Sequence, residues 1–413
     1  MILFCEECGT RHDIEEDNLT GSSYKFACHT CNETLIVSLV AKTKGKNAQA
    51  AMQDAPVAGD LEARREPLRI LVVDDSRMIR RVLCDIISSD PSKQVVGEAE
   101  NGKVAIELIR QSKPDVITLD INMPVMDGLT TLKHIMISNP TPTVMISALT
   151  QEGATETFES LKYGAIDFLP KPSKVRGGDL KSQQEEILRK IDLVANVQIE
   201  SIRYLRRPTM DKRQDLMDDL QCRSVLAFGA SEGGYGALLN VIPRLTPELP
   251  AAYIAVMHQA PQHVDAFSRY LDKCSKIKVE RAVAGMQLKG GTCYLAASTE
   301  RFLVGEDSNK LKLHSDTGSS SNGPGAIDEL MTSVATKLKN RSAGVILTGT
   351  GEDGLEGLGA IIREGGTAFV QDPGSCLFKE TPAAAINLYS VDYMVSDKQM
   401  AGAINAYVRS LTH

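Results

Sequence analysis

Two stretches of this chain alternate short apolar strands with helical segments, and that alternation limits the fold more than any other feature. From 68 to 172, "RILVVDD", "DVITLDI", "TVMISAL" and "DFLPKP" are separated by patterns such as "KVAIELIRQ" and "TTLKHIMIS". From 221 onward, "VLAFGAS", "AYIAVMH", "AGVILTGT" and "TAFVQD" stand apart in the same way. Unbroken apolar runs suit strands buried on both faces, and the helices between them supply the cover. Each stretch is therefore expected to fold as a parallel α/β sheet. A length of 413 residues exceeds one ordinary core and accommodates both.

The remaining segments are of a different kind. Residues 1–40 hold Cys5 and Cys8 in "CEEC" and Cys28 and Cys31 in "CHTC". Two such knuckles let four thiolates converge on Zn²⁺, so a small structural zinc ribbon is expected; its filled coordination shell leaves no place for a substrate. Residues 41–66 are small, polar and charged, as a flexible linker would be. Ile187, Ile191, Val194, Ile202 and Leu205 keep rough helical spacing, which predicts an amphipathic helix in a second linker, its apolar stripe lying on a neighbouring domain. The expected organisation is a ribbon at 1–40, a linker at 41–66, an α/β domain at 67–190, a linker at 191–220 and a second α/β domain at 221–413. A net charge of −7 without a basic block argues against nucleic acid. No apolar run approaches the roughly 20 residues of a membrane span, and the N-terminus lacks the pattern of a signal peptide, so no membrane insertion and a cytoplasmic location are expected. The five cysteines outside the knuckles read as reduced core residues.

In the first α/β stretch, Asp74, Asp75 and Asp120 end strands, and ligands bind at the carboxyl ends of strands in open α/β sheets. Three clustered carboxylates repel one another unless a cation is present, and Mg²⁺ suits them because it keeps waters for an incoming phosphoryl group. Ser147 and Lys171 end two further strands at the same rim, where a hydroxyl and an ammonium can hold phosphoryl oxygens. At "DD", "LDINMPVMDG", Ser147 and "KP" the region from 68 to about 190 resembles a response-regulator receiver domain, whose fold is flavodoxin-like. The resemblance implies that Asp120 accepts a phosphoryl group from a histidine kinase. It also implies Mg²⁺ on Asp75 and Asp120, with Asp74 assisting through water and the Asn122 carbonyl completing the set. Ser147 and Phe168 would reposition on phosphorylation.

In the second stretch, "GASEG" fits a strand-to-helix elbow that would expose Ser231 as a nucleophile, though a phosphate-cradling or merely structural turn fits the same residues. A base and an acid are needed beside it. His258 ends "IAVMH", and Asp353 lies in the glycine-rich "GTGEDG" after another buried strand, so all three candidates share one sheet edge. His263 and His314 compete for the base role, but neither ends a buried strand; Asp328 and Asp372 compete for the acid role, but Asp328 lies inside the helical "AIDELMTSVATKL" and Asp372 heads a proline turn. The order Ser, His, Asp differs from that of α/β-hydrolases and points to another class of serine hydrolase.

"LAFGASEGG", "AVMHQAP", "AIDELMTSVA", "GVILTGTGEDGLEG" and "SCLFKETPAAAI" together resemble the catalytic domain of the chemotaxis protein-glutamate methylesterases, the CheB family, across 221–413. That family's domain is a doubly wound parallel sheet. The resemblance implies Ser231, His258 and Asp353 as the triad and an oxyanion site near the backbone N–H of Thr350. It further implies hydrolysis of γ-glutamyl methyl esters on chemoreceptors and deamidation of receptor glutamines. Two departures stand out. Glu232 follows the nucleophile where the family has Thr or Ala, and "SSSNGPG" stands where the family has a basic residue; the ribbon is an addition with a partner of its own still to be found. The alternative expectation is a phosphorylation-driven binding module whose esterase domain is weak or inactive.

Overall fold

The structure, a computed structural model, describes residues 2–4, 11–13, 23–27, 34–38, 66–147, 154–172, 180–197, 220–308, 310–315 and 325–411. Near the N-terminus, β1 (Ile2–Phe4) pairs antiparallel with β2 (Arg11–Asp13), and β3 (Ser23–Ala27) with β4 (Thr34–Ser38). Cys5, Cys8, Cys28 and Cys31 lie outside the described residues, and so does 41–65.

The first α/β domain contains β5 (Leu68–Val73), α1 (Arg77–Ser88), β6 (Lys93–Ala99), α2 (Gly102–Ser112), β7 (Val116–Asp120) and α3 (Gly128–Ser138). β8 (Thr143–Ser147), α4 (Ala154–Lys162), β9 (Asp167–Pro170) and α5 (Leu180–Ala195) follow. The strand order is β6-β5-β7-β8-β9, with parallel ladders from β6 through β8, which is the flavodoxin-like order. Every residue of β7 and β8 is buried, as their uninterrupted apolar character requires. Asn101 caps α2 by accepting the Val104 N–H, and Asp127 caps α3 by accepting that of Thr130. Helix α5 runs on past residue 190, and Ile187, Ile191 and Val194 are buried within this domain, against α1 and β7. The stripe expected to lie on a neighbouring domain thus covers the face of its own sheet, because a parallel sheet needs both faces sheltered. Ile202 and Leu205 lie outside the described residues.

The second domain begins with β10 (Ser224–Ala230), α6 (Gly234–Val241), β11 (Ala251–Met257), α7 (Pro261–Cys274), β12 (Lys278–Arg281) and β13 (Thr292–Ala297). The hairpin of β14 (Phe302–Asp307) and β15 (Lys310–Ser315) follows, then α8 (Ala326–Leu338), β16 (Ser342–Ile346) and α9 (Leu355–Arg363). β17 (Thr367–Gln371), α10 (Glu380–Leu388), β18 (Tyr393–Val395) and α11 (Asp397–Ser410) complete it. Its sheet has the order β12-β13-β11-β10-β16-β17-β18, and every neighbouring pair is parallel. From β10 the chain winds outward through β11 and β13; it then returns to place β16 on the other side of β10. The strand order therefore reverses between β10 and β16, which is where open α/β sheets form their ligand crevice. Among the described residues no helix is long and apolar enough to cross a membrane.

Candidate active site

At that crevice β10 runs directly into Ser231, and α6 starts three residues later. Gly233 makes the turn with φ +74°, a conformation that costs glycine little. Backbone bonds tie the elbow to both flanking strand ends: Ser231 N–H donates to the Thr348 carbonyl at 3.4 Å and His258 N–H to that of Ala230 at 3.2 Å.

The loop after β16 is held at several points. The Thr348 N–H donates to Gln371 Oε1, the Gly349 N–H to the Phe378 carbonyl, and the Thr381 hydroxyl to the Gly351 carbonyl, all within 2.9 Å. So held, the loop brings Thr350 onto the serine. The Thr350 N–H donates to Ser231 Oγ at 2.9 Å, and the Ser231 hydroxyl donates to the Thr350 carbonyl at 3.1 Å. Gly349 makes the approach possible, since a Cβ there would lie 2.2 Å from Ser231 Oγ.

His258 Nε2 is 2.8 Å from Asp353 Oδ2. Asp353 Oδ1 accepts the N–H groups of Ile327 and Asp328 at the start of α8, where unpaired donors and the helix dipole favour an anion. Burial alone would push the Asp353 carboxyl up, but the bonds from His258, Asp328 and Ile327 hold it below the usual carboxylate range. The bond to Asp353 raises His258 above the ordinary imidazole value against the effect of burial, and the charge of Glu232 adds to the rise. An ionised Asp353 fixes the proton on Nε2 and leaves Nδ1 as the basic nitrogen. Among the described residues no hydrogen bond joins Ser231 to His258; the serine rests on Thr350. All four residues line one cleft of about 170 Å³.

In the first domain, Asp74, Asp75 and Asp120 can each offer a carboxylate oxygen within 4.8 Å of the others. Asp74 and Asp120 are buried and Asp75 is exposed. Asp74 Oδ1 accepts the Ser76 N–H and Asp120 Oδ1 the Ile121 N–H, both at 2.8 Å. The other oxygen of each faces Lys171 Nζ, at 3.1 Å from Asp74 and 2.9 Å from Asp120. Each of these oxygens is ion-paired with Lys171 and, having two lone pairs, can still offer one to a cation. An all-oxygen set of this kind fits Mg²⁺. Burial pushes the Asp120 carboxyl up, with Asp74 adding to the rise and Lys171 opposing it. Burial works against the charge on Lys171, yet Asp120 and Asp74 hold its pKa above the ordinary value. Asn122 is exposed in the loop after β7. Ser147 is buried at the end of β8 with its hydroxyl 2.8 Å from that of Thr157, and Phe168 is buried in β9 with its ring edge-on to Phe158.

A CheB methylesterase family model matches residues 226–404, and a response regulator receiver domain model matches residues 70–178. The chain is 38% identical over 331 residues to a protein-glutamate methylesterase/protein-glutamine glutaminase of Pyrococcus horikoshii, covering 79% of this chain and 90% of that protein. The chain belongs to the protein-glutamate methylesterase family. Members with the same name from Symbiobacterium thermophilum and Geobacillus kaustophilus are 34% identical (83% of this chain, 98% of that protein) and 35% identical (82% and 97%).

For a methylesterase of this family, the residues that stay outside the cleft matter as well. His263 is buried in α7, His314 lies on β15 and Asp372 caps a short turn by accepting the Gly374 N–H; none of them lines the cleft. Asp328 has a structural part that helical spacing alone does not reveal. Its carboxylate accepts the N–H groups of Gly354 and Gly357 at 2.9 and 2.7 Å, holding the start of α9 beside Asp353, and burial pushes its pKa up to about 6. The signal in the sequence was the "GEDGLEG" loop, whose bare N–H groups need an acceptor. The Glu232 carboxylate accepts the Thr350 hydroxyl at 2.8 Å.

Proposed function

We propose that this chain is a phosphorylation-regulated protein-glutamate methylesterase, and a protein-glutamine glutaminase by the same chemistry, acting on chemoreceptors in chemotaxis adaptation. The observation that supports this best is the His258–Asp353 bond beside Ser231, with the Thr350 N–H already on the serine oxygen. A binding module has no need of this arrangement. In the proposed reaction, Ser231 Oγ turns toward His258 Nδ1, gives up its proton and attacks the carbonyl carbon of a γ-glutamyl methyl ester. The Thr350 N–H, released by the serine, donates to the oxyanion. His258 returns the proton to the departing methoxide, so methanol leaves and an acyl-Ser231 ester remains. Water, deprotonated by His258, then cleaves that ester to restore Ser231 and leave a carboxylate on the receptor. With a glutamine, ammonia takes the place of methanol.

In the receiver domain, a carboxylate oxygen of Asp120 accepts a phosphoryl group from a histidine kinase. Asp74, Asp75, Asp120 and the Asn122 carbonyl are the residues that would hold Mg²⁺, which supplies charge neutralisation for phosphoryl oxygens when bound. Lys171 and Ser147 take up the new phosphoryl oxygens, and Phe168 moves with Ser147. The test of the whole reading is methanol release from membranes carrying methylated chemoreceptor, with and without a phosphodonor. Release that needs Ser231 and rises with the donor is expected, and absence of release excludes the esterase. The reaction is assigned to the cytoplasm.

The pH profile carries its own expectation. Catalysis needs His258 neutral, and its pKa lies above the ordinary 6.5 because the charged form is stabilised. On acidification kcat/KM should therefore fall with a midpoint above 6.5, fully lost once His258 is protonated. Asp353→Asn should move that midpoint down and cut the rate. A midpoint at or below 6.5 in the wild-type protein would contradict the His258–Asp353 pairing.

Cys5, Cys8, Cys28 and Cys31 are assigned to a structural Zn²⁺, with the ribbon serving as a docking surface for a further partner. Metal analysis should find about one zinc per chain. Chelation should unfold the N-terminal segment and leave ester hydrolysis intact, because so short a segment draws most of its folding free energy from the metal. Native protein without zinc would exclude the ribbon.

A further inference from the structure

We propose that Glu232 is a positioning residue of the esterase site, holding the Thr350 hydroxyl so that the Thr350 backbone N–H stays aimed at the reacting centre beside Ser231. The proposal rests on the reading of Ser231 as nucleophile and of the Thr350 N–H as oxyanion donor. Thr350 sits in "TGTGED", between two glycines, in the part of the loop with the most backbone freedom. On its N-terminal side Thr348 and Gly349 are bonded to Gln371 and Phe378, and on its C-terminal side Gly351 is bonded to Thr381. At Thr350 itself, the Glu232 carboxylate takes the hydroxyl at 2.8 Å while the N–H reaches Ser231 at 2.9 Å. Thr350 is thus gripped by its side chain on one side and does its work through its backbone on the other. Both partners come from adjacent residues in the turn directly after β10, so one short stretch of backbone sets the distance between nucleophile and donor.

This geometry also settles how a carboxylate can stand next to a nucleophile. A carboxylate free to face the oxyanion would oppose the charge that develops there. One that accepts the Thr350 hydroxyl is held by that bond and is not free to swing toward the reacting centre.

The test uses the full-length protein with p-nitrophenyl acetate as the probe, subtracting the rate of Ser231→Ala. Glu232→Ala and Thr350→Val should each lower kcat about fivefold at unchanged KM, the weight of one lost hydrogen bond. Because they break the same contact, the double variant should also lose about fivefold, not the roughly 25-fold of independent effects. Glu232→Gln keeps an oxygen for the Thr350 hydroxyl and should stay within about twofold of wild type. A rise in turnover for Glu232→Ala, a multiplicative loss in the double variant, or a Glu232→Gln as slow as Glu232→Ala would each overturn the proposal. Wild-type hydrolysis by Ser231→Ala would instead overturn the underlying assignment of the nucleophile.

Discussion

Ser231→Ala should abolish methanol release, lowering kcat by about 10⁴-fold or more, since without the hydroxyl no acyl-enzyme can form and only the oxyanion donor and substrate binding remain. Stability should change little. The side chain lost is small, it ends a strand at the floor of an open cleft, and its deletion frees only the two hydrogen bonds with Thr350. The cost is on the order of 1 kcal/mol per bond, which leaves the cooperative melt intact. The measurement pairs methanol release with a thermal melt. A folded Ser231→Ala protein that releases methanol at the wild-type rate would remove the triad as the catalytic centre.

Asp120→Asn should lose both phosphoryl uptake and any rise in esterase rate produced by a phosphodonor. An amide oxygen is a poor nucleophile toward phosphorus, and the substitution removes one of the three carboxylates that can gather around a divalent cation. Folding should survive, because Lys171 keeps Asp74 as a partner at 3.1 Å and a buried charge is replaced by a neutral group of the same shape. Incorporation of radiolabelled phosphate from acetyl phosphate with Mg²⁺ reads the first effect, and methanol release with and without the donor reads the second. Equal stimulation of wild type and Asp120→Asn would show that control does not pass through this residue.

Much of both sites was legible in the chain because parallel strands place their last residues on one edge. Asp74, Asp120, Ser147 and Lys171 lie at or just after the ends of β5, β7, β8 and β9, and Ser231 and His258 directly follow β10 and β11. Apolar runs mark those strands without reference to anything distant. The contacts between loops were less legible. Thr350 and Ser231 are 119 positions apart, and their bond depends on the path of a glycine-rich loop that no local pattern specifies. Glu232 shows the same limit: a helix start offers an acid several donors nearby, and nothing in that local pattern points to the Thr350 hydroxyl that it accepts from the loop after β16. For Asp328, the helical pattern of "AIDELMTSVATKL" carries no information about the N–H groups of Gly354 and Gly357 that its carboxylate accepts. Helix α5 was assigned to a linker because its pattern says that a stripe is buried and not what buries it.

The bond between the Thr350 N–H and Ser231 Oγ has a pharmacological consequence. In the resting protein the proposed oxyanion donor already has an internal ligand, so an inhibitor that merely lays a carbonyl oxygen in the cleft must displace the serine from it. Exchanging one hydrogen bond for another brings almost no affinity at that position. A boronic acid behaves differently: once Ser231 Oγ has bonded to boron, the serine has vacated the N–H, and a boronate hydroxyl can occupy it. Reversible covalent warheads should therefore gain affinity at Thr350 that carbonyl-bearing competitors of the same shape cannot.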